Sequence, residues 1–281
     1  MSFWTSPRSG SRLGVLLVHR ASTVLYPTFF FVLFMSIWEA WVRLADVSSV
    51  ILPPPSAIAA QLGIFDQLWP DLWVTLQRII EGFLLAAIIG FVLAILIVTF
   101  RPFARSIFPV LVATQVIPKL AIAPLFLIWF GYGGLSTVLI VFLLAFFPIV
   151  INTVLGLRTI EIEKMYLARS VGAGWIATFL RIRLPNALPS IFGGLKLAAL
   201  LAVNGAVVAE FISSTSGIGH VIQGAAGDND IVRLFVAVGY LSLGGLLIFL
   251  VMEVAERYSI PWHVSRRDYV SVAPPANSRA L

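Results

Sequence analysis

The sequence predicts an all-α membrane protein: six transmembrane helices, with a helical loop on the cytoplasmic side between the fourth and fifth. Three observations carry this. Hydrophobic residues make up 59% of the 281 positions and charged residues only 11%, with a mean hydropathy of +0.99, whereas soluble domains carry roughly 25% charged residues. The charges are not scattered but separate uncharged runs near the roughly 20 residues that a spanning helix needs. The basic residues also gather in alternate connections, the pattern expected of a chain that threads a bilayer with its positive segments inside.

Taken in order, Met1–Arg20 is a cytoplasmic N-terminal segment with Arg8, Arg12 and Arg20, and Ala21–Trp38 is the first uncharged run. That run is long for a signal-peptide core, and Glu39 with its neighbours offers no cleavage site, so it reads as a retained span. Arg43 to Asp71 forms an outer loop with Asp46, Asp66 and Asp71. In it, the prolines of 53–55 stiffen the chain and Ser56 is placed to cap a short helix from Ala57. Trp69, Pro70 and Trp73 read as an interfacial belt. The second span holds Phe83–Phe100, preceded by Arg78 and Glu81, which at i, i+3 can neutralise each other. The third span, about 106–130, contains Pro109, Pro118 and Pro124. It must be broken or kinked, so its freed backbone groups place it inside the bundle. The fourth covers about 135–157, the fifth about 189–211 with Gly193, Gly194 and Gly205 for close helix approach, and the sixth contains Leu234–Met252. The connection 212–231 is rich in Gly and Ser and has two Asp but no Lys or Arg before Arg233. A six-span domain of 21–257 and a cytoplasmic tail of 258–281 complete the division.

The segment from Arg158 to Pro189 interrupts this apolar chain. It holds five of the 19 Lys and Arg residues and is too long for a simple turn. Met165–Val171 favours helix, Gly172 suits the left-handed residue that ends one, and Trp175–Arg183 predicts a second helix with Arg181 and Arg183 in its last turn, where cations suit the dipole. Pro185 and Pro189 then forbid simple continuation. The residues leave two readings open: a connector that docks on its own bundle, or a knob that docks on a partner. With both termini inside, 14 of the 19 basic residues fall in inner segments, and Arg43, Arg78, Lys119, Lys196 and Arg233 lie in spans or at their outer ends. The net charge of +6 is therefore a topology signal rather than a nucleic-acid footprint.

Catalysis finds no support. No Gly-x-x-x-x-Gly-Lys-[Ser/Thr] phosphate loop is present. His19, His220 and His263 are isolated, with no His-Glu-x-x-His and no Gly-x-Ser-x-Gly elbow. The absence of cysteine excludes disulfides and thiolate sites, and no metal site is expected.

The 158–188 loop resembles the signature loop of the inner-membrane permease subunits of bacterial ATP-binding-cassette importers. That signature runs Glu-Ala-Ala, three residues, Gly, about nine residues, Ile, one residue, Leu-Pro. Here it reads Tyr166-Leu167-Ala168, then Gly172-Ala173, then Ile182, Leu184 and Pro185. Tyr166 and Leu167 stand where Glu and Ala are usual. Further segments are similar to one subgroup of these permeases, which serves nitrate, taurine, alkanesulfonates and thiamine or riboflavin precursors. They are Ile117–Leu125 with Trp129–Gly133, Phe147–Gly156, Ala209–Phe211 with Gly217–Gly219, and Pro261–His263. The likeness covers about residues 50 to 263. It implies a pore-forming subunit whose loop is a coupling helix seated on a separate ATPase dimer. It also implies ATP and magnesium held by that partner, a second permease copy or close relative, an external solute-binding protein, and the bacterial inner membrane.

Ionisable and polar groups inside a membrane are candidates for function. Lys119 reads either as a cation in the translocation path that attracts anionic or polar cargo, or as a structural charge satisfied by a carboxylate or by carbonyls freed at the proline breaks. Asn204 reads as interhelical glue or path ligand. Glu210, near the outer end of the fifth span, reads as part of an outer gate or as a group that meets water. Lys196 is expected to snorkel to the inner surface. The rival class is a secondary transporter that uses the broken third span and its lysine as an ion-coupling site, but neither an inverted repeat nor a proton relay is visible.

Overall fold

A computed structural model describes residues 12–213 and 215–262. Arg8, His263, Arg266, Arg267 and Arg279, with most of the 1–20 and 258–281 segments, lie outside the described residues. Every regular element among the described residues is helical: α1 (Arg12–Leu44), α2 (Pro55–Ala60), α3 (Phe65–Thr99), α4 (Arg101–Thr114), α5 (Ala123–Phe130), α6 (Gly134–Arg158), α7 (Ile162–Ser170), α8 (Trp175–Thr178), α9 (Leu184–Ser213), α10 (Ile218–Gly227) and α11 (Ile231–Ser259). Five helical stretches are long and apolar enough to cross a membrane: Leu25–Leu44, Pro55–Thr99, Gly134–Arg158, Trp175–Ile212 and Ile231–Ser259. Helices α4 and α5, bent by 87° across a short break, make a sixth when the pair is taken as one broken span.

The chain divides into two compact units, residues 1–64 with 225–236, and residues 65–224 with 237–281. In the first, Trp38 packs on Phe235 with ring centroids 5.7 Å apart. Glu39 accepts hydrogen bonds from the Ser56 backbone N–H at 3.0 Å and hydroxyl at 2.8 Å, while pairing with Arg43. Ser56 thus does not cap α2. It sits inside the first turn, behind Pro54 and Pro55, and the Glu39 carboxylate takes over the satisfaction of its backbone group. The predicted outer loop of 43–71 is also shorter than expected, because α1 runs on to Leu44 and α3 begins at Phe65.

The second unit is built around α3, α6 and α9, with α6 packed most extensively on α9 and next on α3. Its core is made of small residues alternating with branched ones: Ile79, Ala86, Val141, Ala145, Ile149, Ala198, Ala202 and Ala206 are all buried. Small residues let apolar helices approach closely where the bilayer supplies no hydrophobic drive between them. A Cβ on Gly194 would lie 2.7 Å from Asn152 Cβ and 2.9 Å from the Pro148 carbonyl oxygen, and one on Gly205 would lie 2.7 Å from Leu144 Cδ1. Gly193, expected to share this role, faces open space instead. It lies one residue, about 100° of helix rotation, away from the α6 contact. On α3, Phe65, Trp69 and Trp73 meet in sequence as tilted rings, and Phe65 also meets Tyr240 of α11 at 5.0 Å.

Three sequence expectations change here. The broken third span does not lie inside its unit: α4 buries no residue and α5 buries only Ala123 and Leu127. Local backbone bonds span its break, from Gln115 to Val112 and from Ala121 to Pro118. The prolines at 185 and 189 do not stop the helix either. A π turn over Phe179–Arg183 joins α8 to α9, and the stretch from Trp175 to Ile212 is helical throughout. The wider π turn relieves the clash that the ring of Pro185 would otherwise make with the carbonyl four residues earlier. The Gly- and Ser-rich connection 212–231 contains a whole helix, α10, whose Ile218 is fully buried.

Candidate functional site

Three groups of residues stand out in the second unit. The first is the knob that follows α6. Helix α7 ends at Gly172, whose φ of +69° is the left-handed conformation expected there, and the N–H of Ala173 reaches back to the Ala168 carbonyl at 2.9 Å. Ala168 is buried, so the turn closes on it. Trp175 stacks on Phe179 at 5.7 Å, and the Asn186 side chain donates to the Thr159 carbonyl at 2.9 Å, tying the two stems of the knob together. Below them, Leu184 packs on the cluster of Leu157, Ala187 and Ile191. The outward surface is apolar: Ile162, Tyr166, Leu167 and Val171 are 63%, 62%, 64% and 72% exposed. Arg169, Ala173 and Arg183 line a shallow groove of about 210 Å³ beside it. Ile182 and Pro185 sit at the π turn and are half-buried.

The second is a hollow of about 520 Å³ where the α4–α5 elbow faces α6 and α9, with Gln115, Lys119, Phe147 and Asn152 on its wall. The Lys119 ammonium lies 4.8 Å from the centroid of the Phe147 ring and 3.4 Å from the Gln115 carbonyl oxygen at the end of α4. Its observed contacts are therefore a ring face and a helix C-terminus. Asn152 donates to the Pro148 carbonyl at 2.8 Å, the acceptor four residues back along α6. Asn204 is exposed on α9 and does not line this hollow. Gln115 and Asn152 are polar groups that sequence reasoning did not select. Each lies beside a proline-containing segment of an uncharged run, which is the signal that pointed to Lys119.

The third is a buried polar node at the far end of α9 from the knob. Glu210 is fully buried, not in water. Its carboxylate accepts from Arg78 Nη1 at 2.9 Å, from the Thr75 hydroxyl at 2.9 Å and from the Gly219 backbone N–H at 2.9 Å. The proposed pairing of Arg78 with Glu81 is replaced by this one. Both readings neutralise Arg78, but only the long-range carboxylate is carried away from solvent. Nearer the middle of α9, Lys196 bonds Glu253 at 2.9 Å and Glu256 at 2.5 Å on α11. Two carboxylates on one face of α11, at i and i+3, hold the ammonium among the helices and remove its reason to snorkel. No group of three or more potential metal ligands occurs among the described residues.

A helical protein with several membrane-crossing elements, a largely apolar hollow that carries one lysine, and an exposed knob is, as a class, a polytopic membrane protein. Residues 82–258 match the model of the binding-protein-dependent transport system inner membrane component family. The formylaminopyrimidine transport permease protein ThiX of Halalkalibacterium halodurans is 34% identical over 244 residues, 86% of this chain and 98% of the relative. The riboflavin transport system permease protein RibX of Chloroflexus aurantiacus is 37% identical over 239 residues, 83% of this chain and 88% of the relative. A putative aliphatic sulfonates transport permease protein SsuC of Bacillus subtilis is 32% identical over 234 residues, 82% and 85% of the two chains. The chain belongs to the binding-protein-dependent inner-membrane component family and is a permease of the ATP-binding-cassette importer type.

Proposed function

We propose that this permease forms half of a translocation pathway for a small solute, with an ATPase dimer seated on the α6–α9 knob and a second copy or close relative completing the pore. The cargo class is that named for the relatives or for the subgroup: a nitrate- or sulfonate-like anion, or a vitamin precursor. An external solute-binding protein delivers it. ATP and magnesium stay on the ATPase, and both termini and the 158–188 loop face the cytoplasm, in keeping with the basic residues gathered there.

The observation that carries this reading is the exposed apolar face of α7. Ile162, Tyr166, Leu167 and Val171 would be costly to leave in water, yet they sit on a loop flanked by Arg169, Arg181 and Arg183 that has no place in lipid. A protein groove that is apolar at its floor covers them. Tyr166, Leu167, Ala168, Gly172, Ala173, Ile182, Leu184 and Pro185 then form the docking element, with Ala168 and Leu184 supporting it from within. Tyr166 and Leu167, in place of the usual Glu and Ala, make this contact more apolar than the family signature. In this reading the hollow lined by Lys119 is part of the path, with Gln115 and Asn152 beside the lysine, while Asn204, on α9 outside the hollow, serves the path only beyond it.

The test is Gly172→Trp. It leaves the hollow untouched but cannot hold the left-handed turn cheaply, so it misplaces α7. Expected is an assembled complex that hydrolyses ATP without moving solute into vesicles. Normal transport by this variant would remove the coupling role. A single cysteine at Val171 reports the side: labelling by an impermeant maleimide from the cytoplasmic face is expected, and labelling from outside would reverse the topology.

A further inference from the structure

The node around Glu210 binds together four pieces of chain that sequence keeps far apart. Glu210 ends α9, while Asp71, Thr75 and Arg78 lie on one face of α3, at i, i+4 and i+7. The turn Ser216–Gly219 then leads into α10. Besides its bond to Glu210, Arg78 donates from Nη1 to the Ser216 carbonyl at 2.9 Å and from Nη2 to the Ser216 hydroxyl at 2.8 Å. Asp71 accepts from the Gly217 N–H at 2.8 Å, and Thr75 accepts from the Ile218 N–H at 2.8 Å. Gly134, at the start of α6, packs on the Arg78 guanidinium: a Cβ there would lie 3.4 Å from Nε.

Three consecutive backbone N–H groups, of Gly217, Ile218 and Gly219, are thus each taken by a different side chain of the node. The fit depends on glycine. Gly217 has a φ of +104°, and a Cβ on it would fall 2.4 Å from Glu210 Oε1, while one on Gly219 would fall 2.7 Å from Glu210 Cβ. Burying a carboxylate and a guanidinium costs more than a plain apolar contact would. The arrangement therefore does something that packing alone does not. It fixes one connection against α3 by bonds that can be exchanged for water all at once when that connection lifts. The same α9 that ends in Glu210 begins, without a helical break, at the knob.

We infer that Glu210, Arg78, Thr75 and Asp71 form a clasp that holds the α9–α10 turn shut over the end of the pathway opposite the knob, and that the clasp releases during the transport cycle. Glu210 is a positioning residue of the outer gate, not a cargo ligand: its oxygens are already occupied and it has no exposure. This rests on the importer reading above only for the cause of release. The closed state is a property of the chain by itself.

The chain has no cysteine, so one placed at Ile222, buried one turn into α10 and outside the clasp, is a clean reporter. In the complete complex in proteoliposomes, with an impermeant maleimide, Ile222→Cys is expected to resist labelling at rest. It should become reactive under turnover with ATP and the binding protein. Adding Glu210→Gln is expected to abolish the resting protection. Asp71→Asn keeps an oxygen for the Gly217 N–H and is expected to preserve protection, whereas Asp71→Ala loses it. If Glu210→Gln does not fold, Thr75→Val carries the same comparison. Resting protection in the Glu210→Gln or Thr75→Val background overturns the clasp. Protection that persists under turnover in a complex that transports solute overturns its release, and shows the node to be structural only. A complex that does not transport with ATP refutes the importer reading instead, and the resting comparison still decides the clasp.

Discussion

Alanine at Gly194 would place a methyl group 2.7 Å from Asn152 Cβ, 2.9 Å from the Pro148 carbonyl oxygen and 3.3 Å from Asn152 Cγ. Backbone and Cβ atoms cannot step aside as a long side-chain tip can, so α6 and α9 must part by several tenths of an ångström. Overpacking of this kind costs typically ~1–3 kcal/mol. Two contacts under 3.0 Å, one to a backbone carbonyl, put the cost in the upper part of that range, about 2–3 kcal/mol, and helix propensity returns about 1 kcal/mol on replacing glycine by alanine, leaving a net loss of roughly 1–2 kcal/mol. At the adjacent Gly193 nothing lies within 4 Å of the added methyl, so only the propensity gain of up to about 1 kcal/mol remains. For a chain of this size each kcal/mol moves Tm by about 2–4 °C. Tryptophan fluorescence melts of the detergent-solubilised protein should therefore show Gly194→Ala about 2–8 °C below the wild type and Gly193→Ala level with it or up to about 4 °C above. Gly194→Ala melting at or above wild type would refute the α6–α9 packing argument. An equal fall at Gly193 would mean that this face is covered rather than open.

Other perturbations follow from the same contacts. Lys196→Met strands Glu253 and Glu256 on α11 and is expected to cost about 3 kcal/mol, since breaking one side of a buried ion pair costs ~3–5 kcal/mol and Glu253 is partly exposed. Adding Glu253→Gln and Glu256→Gln should recover much of that, read again as Tm. Lys119→Gln removes the ammonium from the hollow while keeping a polar side chain with an N–H donor at that position. Uptake into vesicles should fall by about tenfold, the equivalent of a lost ~1.4 kcal/mol contact, with assembly unchanged. Gly205→Leu, which drives a side chain into Leu144, should lower Tm by several degrees and narrow the hollow, of which Leu144 is a wall.

What was legible in the sequence is what a local pattern can encode. Helix α6 falls within a residue of the uncharged stretch that predicted it, because hydrophobic length alone sets a span. Gly172 takes the left-handed turn at the end of α7, the place where a residue without a Cβ adopts it at least cost. What was not legible depends on partners far along the chain. Local spacing pairs Arg78 with Glu81, three residues away, whereas a carboxylate that accepts from it lies 132 positions on, at Glu210. Lys196 was sent to the surface because its two carboxylates lie on another helix, 57 and 60 positions away. Helix α10 was hidden by its glycines, which read as loop, although Ile218 and Ile222 at i, i+4 are both buried. The proline stop failed for another reason. Pro185 follows a wider turn that accommodates its ring, and Pro189 sits inside α9 as Pro70 and Pro148 sit inside α3 and α6: a proline costs a ladder bond without having to end a helix that is packed on its neighbours.

That wider turn fixes a rotational phase. A π turn holds one residue more than the α ladder needs, so every side chain beyond Arg183 is offset by about 100° from where an uninterrupted α-helix would put it. Deleting a single residue between Phe179 and Arg183 would leave the hydrophobic length sufficient, yet swing Trp175 and the whole apolar face of α7 about a third of the way round relative to the pore-side helices. A one-residue deletion in this turn that costs more than any single substitution within it is the mark this geometry leaves on any collection of functional variants.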